Sequence, residues 1–118
     1  MILHITQQDL WDAAQVEGTY SWSTRGSTMD EVGFIHASQP HQVAAVAEFV
    51  YHDQPQDLLV LVLDEAELAD AEISVRFEDG GSGELYPHLY APLPVNLVRS
   101  AEPAGFDSSG KFWWGNRP

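Results

Sequence analysis

The chain has 118 residues, with 5 Lys and Arg against 18 Asp and Glu, a formal charge of −13 and no cysteine. That length holds one hydrophobic core, and 44% hydrophobic residues with four Trp, four Tyr and five Phe offset the entropy of ordering the chain, so one folded domain is expected and global disorder is excluded. The five basic residues, Arg25, Arg76, Arg99, Lys111 and Arg117, are dispersed and make no phosphate-binding patch, and without cysteine there is no disulfide, thiolate metal site or cysteine nucleophile.

The first residues carry no basic region ahead of an apolar stretch, and the aliphatic run Leu58 to Leu63 is too short to span a bilayer. The chain therefore reads as cytoplasmic, with neither nucleic acid nor a membrane as partner and with its oligomeric state left open. Ile2 to Thr6 alternates as a strand, with Ile2, His4 and Thr6 on one face and Leu3 and Ile5 on the other. Thr6 and Asp9 suggest a capped start for a helix over residues 7–17, in which Leu10, Ala13, Ala14 and Val16 form the apolar stripe before Gly18. Thr19 to Ser23 reads as a short strand, and Ser23 to Asp30 as an aperiodic mobile loop.

Gly33 to Ser38 reads as a second strand, with Phe34, His36 and Ser38 sharing a face. Pro40 suits the first turn of a helix over residues 40–51, striped by Val43, Ala44, Val46, Ala47 and Val50. Leu58 to Asp64 is apolar without alternation, the pattern of a central strand covered on both faces. A helical turn at Asp64 to Leu68 follows, then a strand over Glu72 to Glu78 with Ile73, Val75 and Phe77 inward and Ser74 and Arg76 outward. Gly80 to Gly83 is a flexible turn that bends back or covers a cleft, Val95 to Ser100 a last strand, and the tail ends in Phe112-Trp113-Trp114. These three aromatic residues read as a packed tail or a contact surface.

Three polar positions lie in apolar or turn contexts: His4, the pair His36 and Ser38, and Glu84 with His88. Each has a structural alternative. A strand histidine can bond a backbone carbonyl, Ser38 can cap the following helix, Glu84 can be a solvated turn carboxylate, and His88 can bond loop backbone. The segments Leu3-His4-Ile5-Thr6, Trp11 and Ala14 with Gly18-Thr19-Tyr20, Gly33-Phe34-Ile35-His36-Ala37-Ser38 and Gly83-Glu84-Leu85-Tyr86-Pro87-His88-Leu89-Tyr90-Ala91-Pro92-Leu93 together resemble the DUF952 family of bacterial proteins. The resemblance covers Ile2 to Ser100, which divides the chain into a family-like domain over residues 1–102 and a tail over 103–118 packed on it or extending from it.

The resemblance implies an α+β domain akin to the ADP-ribosyltransferase catalytic domain, with a split, mostly antiparallel sheet, flanking helices and a cleft. By position it implies that His4 contacts a ribose, that His36 or Ser38 fills the second-strand place, that Glu84 binds the nicotinamide ribose and that His88 lies at the edge. Glu84 and His36 are then the catalytic candidates, and His4, Ser38 and His88 the ligand-binding ones. The reaction implied is ADP-ribosyl transfer or glycohydrolysis on NAD or a related nucleotide, NAD being a substrate and no cofactor being firmly indicated. A carboxylate beside the ribose suits the oxocarbenium-like state of such cleavage. Two alternatives stand beside it: a non-catalytic module for a small metabolite, and a metal site of His4, His36 and His88, for which no local motif is present.

Overall fold

The computed structural model describes residues 1–116. Arg117 and the end of the 103–118 tail lie outside the described residues. In chain order the elements are β1 (Ile2–Gln7), α1 (Gln8–Glu17), β2 (Thr19–Tyr20), β3 (Trp22–Thr24), β4 (Ser27–Thr28), α2 (Met29–Val32), β5 (Ile35–His36), α3 (Val43–Val50), β6 (Leu58–Leu63), α4 (Glu65–Asp70), β7 (Val75–Asp79), β8 (Leu85–Leu89), β9 (Leu93–Pro94), a 3-10 turn (Val95–Leu97), β10 (Val98–Phe106) and β11 (Phe112–Trp114). This is an α+β domain whose strand pairs are antiparallel.

The main sheet has the order β1-β6-β10-β11. Every residue of β6 is buried, as its unbroken apolar run requires. Its alternation divides the interior in two. Leu59, Leu61 and Leu63 join Ile2, Trp11, Tyr20 and Leu89 on one face, and Leu58, Val60 and Val62 join Leu3, Ile5, Val43, Ala47 and Tyr51 on the other. A second sheet has the order β5-β8-β7. The two sheets touch through a backbone pair, Leu3 N–H to Ser38 O at 2.8 Å and Ser38 N–H to Leu3 O at 2.7 Å, and part on either side of it.

Several local expectations are corrected. Thr6 does not cap α1: Gln7 is the N-cap, without a side-chain bond, because the Thr6 hydroxyl is engaged by Tyr20. Trp11 and Ala14 are the buried residues of α1, while Ala13 and Val16 face solvent. Gly18, at φ 90°, closes the helix in the left-handed region. The segment 23–30 is not a loop. It forms the β3–β4 hairpin and the start of α2, whose capping box pairs Thr28 Oγ1 with Glu31 N–H and Glu31 Oε1 with Thr28 N–H.

Gly33 terminates α2, so the second strand shortens to Ile35–His36. Residues 39–42 form a turn, and α3 starts at Val43 rather than Pro40, with Ala44 exposed. Phe77 is exposed, because β7 is an edge strand whose outer end outruns the core, whereas Ile73 is buried as expected. β10 runs through position 103 and pairs with β11, so the described part of the tail is the edge hairpin of the main sheet, with Phe106, Phe112 and Trp114 against the second core. Among the described residues no helix is long and apolar enough to cross a membrane.

Leu61 is fully buried between β1 and β10. Truncation there leaves a cavity that its backbone-locked neighbours cannot collapse into, so Leu61→Ala is expected to cost about 2–5 kcal/mol in urea unfolding. A loss below about 1 kcal/mol would contradict this packing.

Candidate functional site

β8 lies between β5 and β7, so residues from three strands meet on each of its faces. Ile35 and Leu89 point into the first core. The opposite face therefore carries His36 against His88, Arg76 across from His88 on the other side, and Glu78 across from Tyr86. Phe34 stacks on the His88 ring with centroids 4.0 Å apart and planes 14° from parallel, and Tyr90 tilts against Phe34 at 5.5 Å. His36 stands edge-on to His88 at 5.1 Å.

Where the sheets part there is a cavity of about 330 Å³. Its walls come from β1 (Leu3, His4, Ile5), the β3–β4 hairpin (Ser23, Thr24), the strand after α2 (His36, Ala37, Ser38), α3 and the residue after it (Ala45, Val46, Phe49, Val50, Tyr51) and the β7–β8 hairpin (Gly80, Ser82, Tyr86, His88). The hairpin wall is tied to the helix by Arg25, which donates to Val50 O at 2.9 Å and to Asp53 at 2.6 Å. Gly80 must be glycine for the opposite wall: a Cβ there would lie 2.6 Å from the Tyr86 ring.

His88 is buried, and its Nδ1–H donates to Glu78 Oε1 at 2.9 Å. The same carboxylate oxygen accepts from the Tyr90 hydroxyl. These two donors hold the Glu78 carboxyl below its ordinary range, and the Tyr90 phenol is raised in turn. His88 Nε2 is buried with no partner, and so is Ser23 Oγ. His36 is half-buried, and burial lowers its imidazole, with the neighbouring His88 adding to the effect.

His4 is different. The His36 carbonyl can only accept, so His4 Nδ1 is the protonated nitrogen in the 2.5 Å bond between them. His4 Nε2 then accepts from the Tyr20 hydroxyl at 2.7 Å, and Tyr20 in turn accepts from Thr6 Oγ1 at 2.7 Å. The chain runs one way, Thr6 to Tyr20 to His4 to the His36 carbonyl. Burial drives the His4 imidazole down from 6.5 to about 4, only partly opposed by its backbone bond, and the ring stays neutral near pH 7.

The five candidate residues are thus divided. His36, Ser38 and His88 come together on the cavity, and His4 is also among its lining residues. Both His4 nitrogens are occupied, however, and its side chain shares the face of Ile2 and Thr6, away from Leu3 and Ile5. His4 thus has no ring nitrogen left without a partner inside the protein. Ser38 joins the sheets through its backbone and does not cap α3. Glu84 does not line the cavity: it is exposed at the end of the glycine turn, where its carboxylate accepts from Gln42 Nε2 at 2.6 Å.

Gln42, buried and bonded also to Leu85 O, was not singled out by the sequence reading; nor were Ser23, Glu78 and Tyr90. For Glu78 a signal existed. A hairpin closed by Gly80–Gly83 sets Asp79 opposite Leu85, which places Glu78 and His88 on one face. Among the described residues no group of three or more His, Asp or Glu side chains is arranged to hold a metal ion.

The family model described as "Protein of unknown function (DUF952)" matches residues 5–101. Protein CC0527 from Caulobacter crescentus is similar over nearly the whole chain. Its crystal structure is 29% identical with a TM-score of 0.78, covering 95% of this chain and 92% of that one. Its solution structure is 30% identical with a TM-score of 0.75, covering 93% and 89%. No curated protein matches.

A pH dependence follows from His4. The unfolded chain binds its proton near 6.5 and the folded chain only near 4, so between these values the unfolded state holds more protons and stability rises with pH. Stability is full above about pH 6.5 and falls as pH drops, by on the order of 3 kcal/mol from His4 once pH is below 4. Calorimetric melting between about pH 7 and 5, above the range where carboxylates titrate, should show a falling Tm. A flat profile there would contradict the buried neutral ring.

Proposed function

The chain belongs to the DUF952 family, and from the geometry of its cleft we propose that it binds a small, uncharged, ring-bearing metabolite of the nucleoside class. The observation that carries this reading is a cavity of about 330 Å³ whose lining contains no Lys, Arg, Asp or Glu but includes two residues with buried, unpartnered polar atoms, Ser23 Oγ and His88 Nε2. That volume is at the lower end of ligand pockets, which run from about 300 to 1,000 Å³, and suits one ring system with its substituents. Phe49, Tyr51, Tyr86 and the His36 and His88 imidazoles supply flat surfaces for a ring.

Charge selects the ligand further. A dinucleotide such as NAD would bring a pyrophosphate to a wall without cations, on a chain of net charge −13. The nucleoside portion is the part this cleft suits. ADP-ribosyl transfer through Glu84 is less well supported, because that carboxylate stands outside the wall and is engaged by Gln42. What supports a kinship with the ADP-ribosyltransferase form is the parting of two antiparallel sheets around a cleft. That feature bears on where a ligand sits and not on what is done to it.

Titration calorimetry with adenosine, cytidine, guanosine, uridine, nicotinamide and NAD tests the reading. A nucleoside should bind more tightly than NAD. Gly80→Ala, which pushes the Tyr86 ring out of the wall, should weaken it by about tenfold. Binding of NAD in preference to every nucleoside, or no binding by any compound of the set, would overturn it.

A further inference from the structure

We propose that His88 is the proton acceptor in the hydrolysis of a small acyl ester held in the cleft, with Glu78 orienting its ring and the Ser23 hydroxyl donating to the carbonyl oxygen as that oxygen gains charge. The inference rests on reading the cleft as a ligand site. Among the described residues, Ser23 Oγ and His88 Nε2 are the buried side-chain polar atoms without a partner, and both residues line the same cavity. Unpaired buried polar atoms are uncommon in folded proteins, and two at one cavity point to a ligand group that completes them.

The support behind His88 is that of a directed base. Nδ1 is committed to the Glu78 carboxylate, so in the neutral ring Nε2 carries the free lone pair. Phe34, stacked on the ring, fixes its plane. A carboxylate on the far nitrogen stabilises the imidazolium that forms when Nε2 takes a proton, the logic by which a third group serves a nucleophile–base pair. The Ser23 hydroxyl is a donor with nowhere else to point. An oxyanion needs such a donor, whereas a glycosyl cation would need a carboxylate that the wall lacks.

The step balances. Water attacks the acyl carbon, its O–H bond breaks and the proton passes to Nε2. The carbonyl π pair moves to the oxygen, which accepts from Ser23. When the bond to the leaving oxygen breaks, the carbonyl reforms and the leaving oxygen takes the proton from Nε2, giving acid and alcohol. The His36 ring stands edge-on to His88, is half-buried and has no hydrogen bond among the described residues.

p-Nitrophenyl acetate is the probe, followed by release of nitrophenolate from the full chain. Wild type should exceed His88→Gln by about 100-fold, the exposed His41 and His52 being common to both. Tyr90→Phe removes a donor that competes for Glu78 Oε1, so the carboxylate should hold the imidazolium better and move the midpoint of the pH–rate profile up; Glu78→Gln should move it down. A purely structural Glu78 would move neither. If wild type is no faster than His88→Gln, or if His88→Gln does not fold and the Tyr90→Phe midpoint is unmoved, the proposal fails. Nucleoside titration reads the cleft separately: binding without turnover removes the proton acceptor alone, and turnover without nucleoside binding removes the ligand class alone.

Discussion

Two backbone hydrogen bonds between Leu3 and Ser38 decide the shape of this domain. They join the main sheet to the β5-β8-β7 sheet at one point and leave them free to diverge beyond it. A longer ladder would have merged the two into one continuous surface with no space between. Divergence instead leaves a gap, which α3 and the β3–β4 hairpin roof over without filling. The contact is dry and rigid because Leu3 and Ser38 are both buried, and β1 is locked in turn by its six-residue register with β6. The cavity is thus a product of sheet geometry, and its walls come from segments far apart in sequence.

Polar residues in the interior fall into two groups with opposite consequences. Thr6, Tyr20 and His4 form a closed account: each donor finds an acceptor and the last proton is delivered to a backbone carbonyl. Such a satisfied network stiffens a core and has little left to offer a ligand. Glu78, Tyr90 and His88 form an open one, since the chain of bonds ends on a nitrogen with nothing beyond it. Desolvation acts on both, but only the second carries an unmet need that chemistry can use.

Much of the fold was legible because period and burial agree. β6 reads as a doubly covered strand from its unbroken apolar run, and α1 ends where Gly18 requires positive φ. The hairpin β3–β4 was not legible, since strands of two or three residues are defined by pairing and carry no period. Yet Thr28 and Glu31 are a readable capping box across the end of the 23–30 segment. Of the site, alternation places His36 and Ser38 on one face, while His88 enters only through the family resemblance. The occupation of His4 depends on Tyr20, sixteen positions away across a helix, which no local pattern reports. The position of Glu84 outside the cavity lining was not legible, because a carboxylate beside glycines looks the same in sequence whether the turn faces a cleft or solvent.

The roof of the cavity is unevenly fastened. On the helix side Val43 and Ala47 are sunk in the second core, whereas the hairpin is held to that helix by Arg25, through an ion pair with exposed Asp53 and one backbone carbonyl. Exposed ion pairs are screened by water and salt and contribute little. The hairpin-to-helix tie is therefore the weaker of the two fastenings, while Trp22 and Ser23 still anchor the hairpin on its inner side. Rising ionic strength weakens this one tie across the roof, through a guanidinium that is not among the residues lining the cavity.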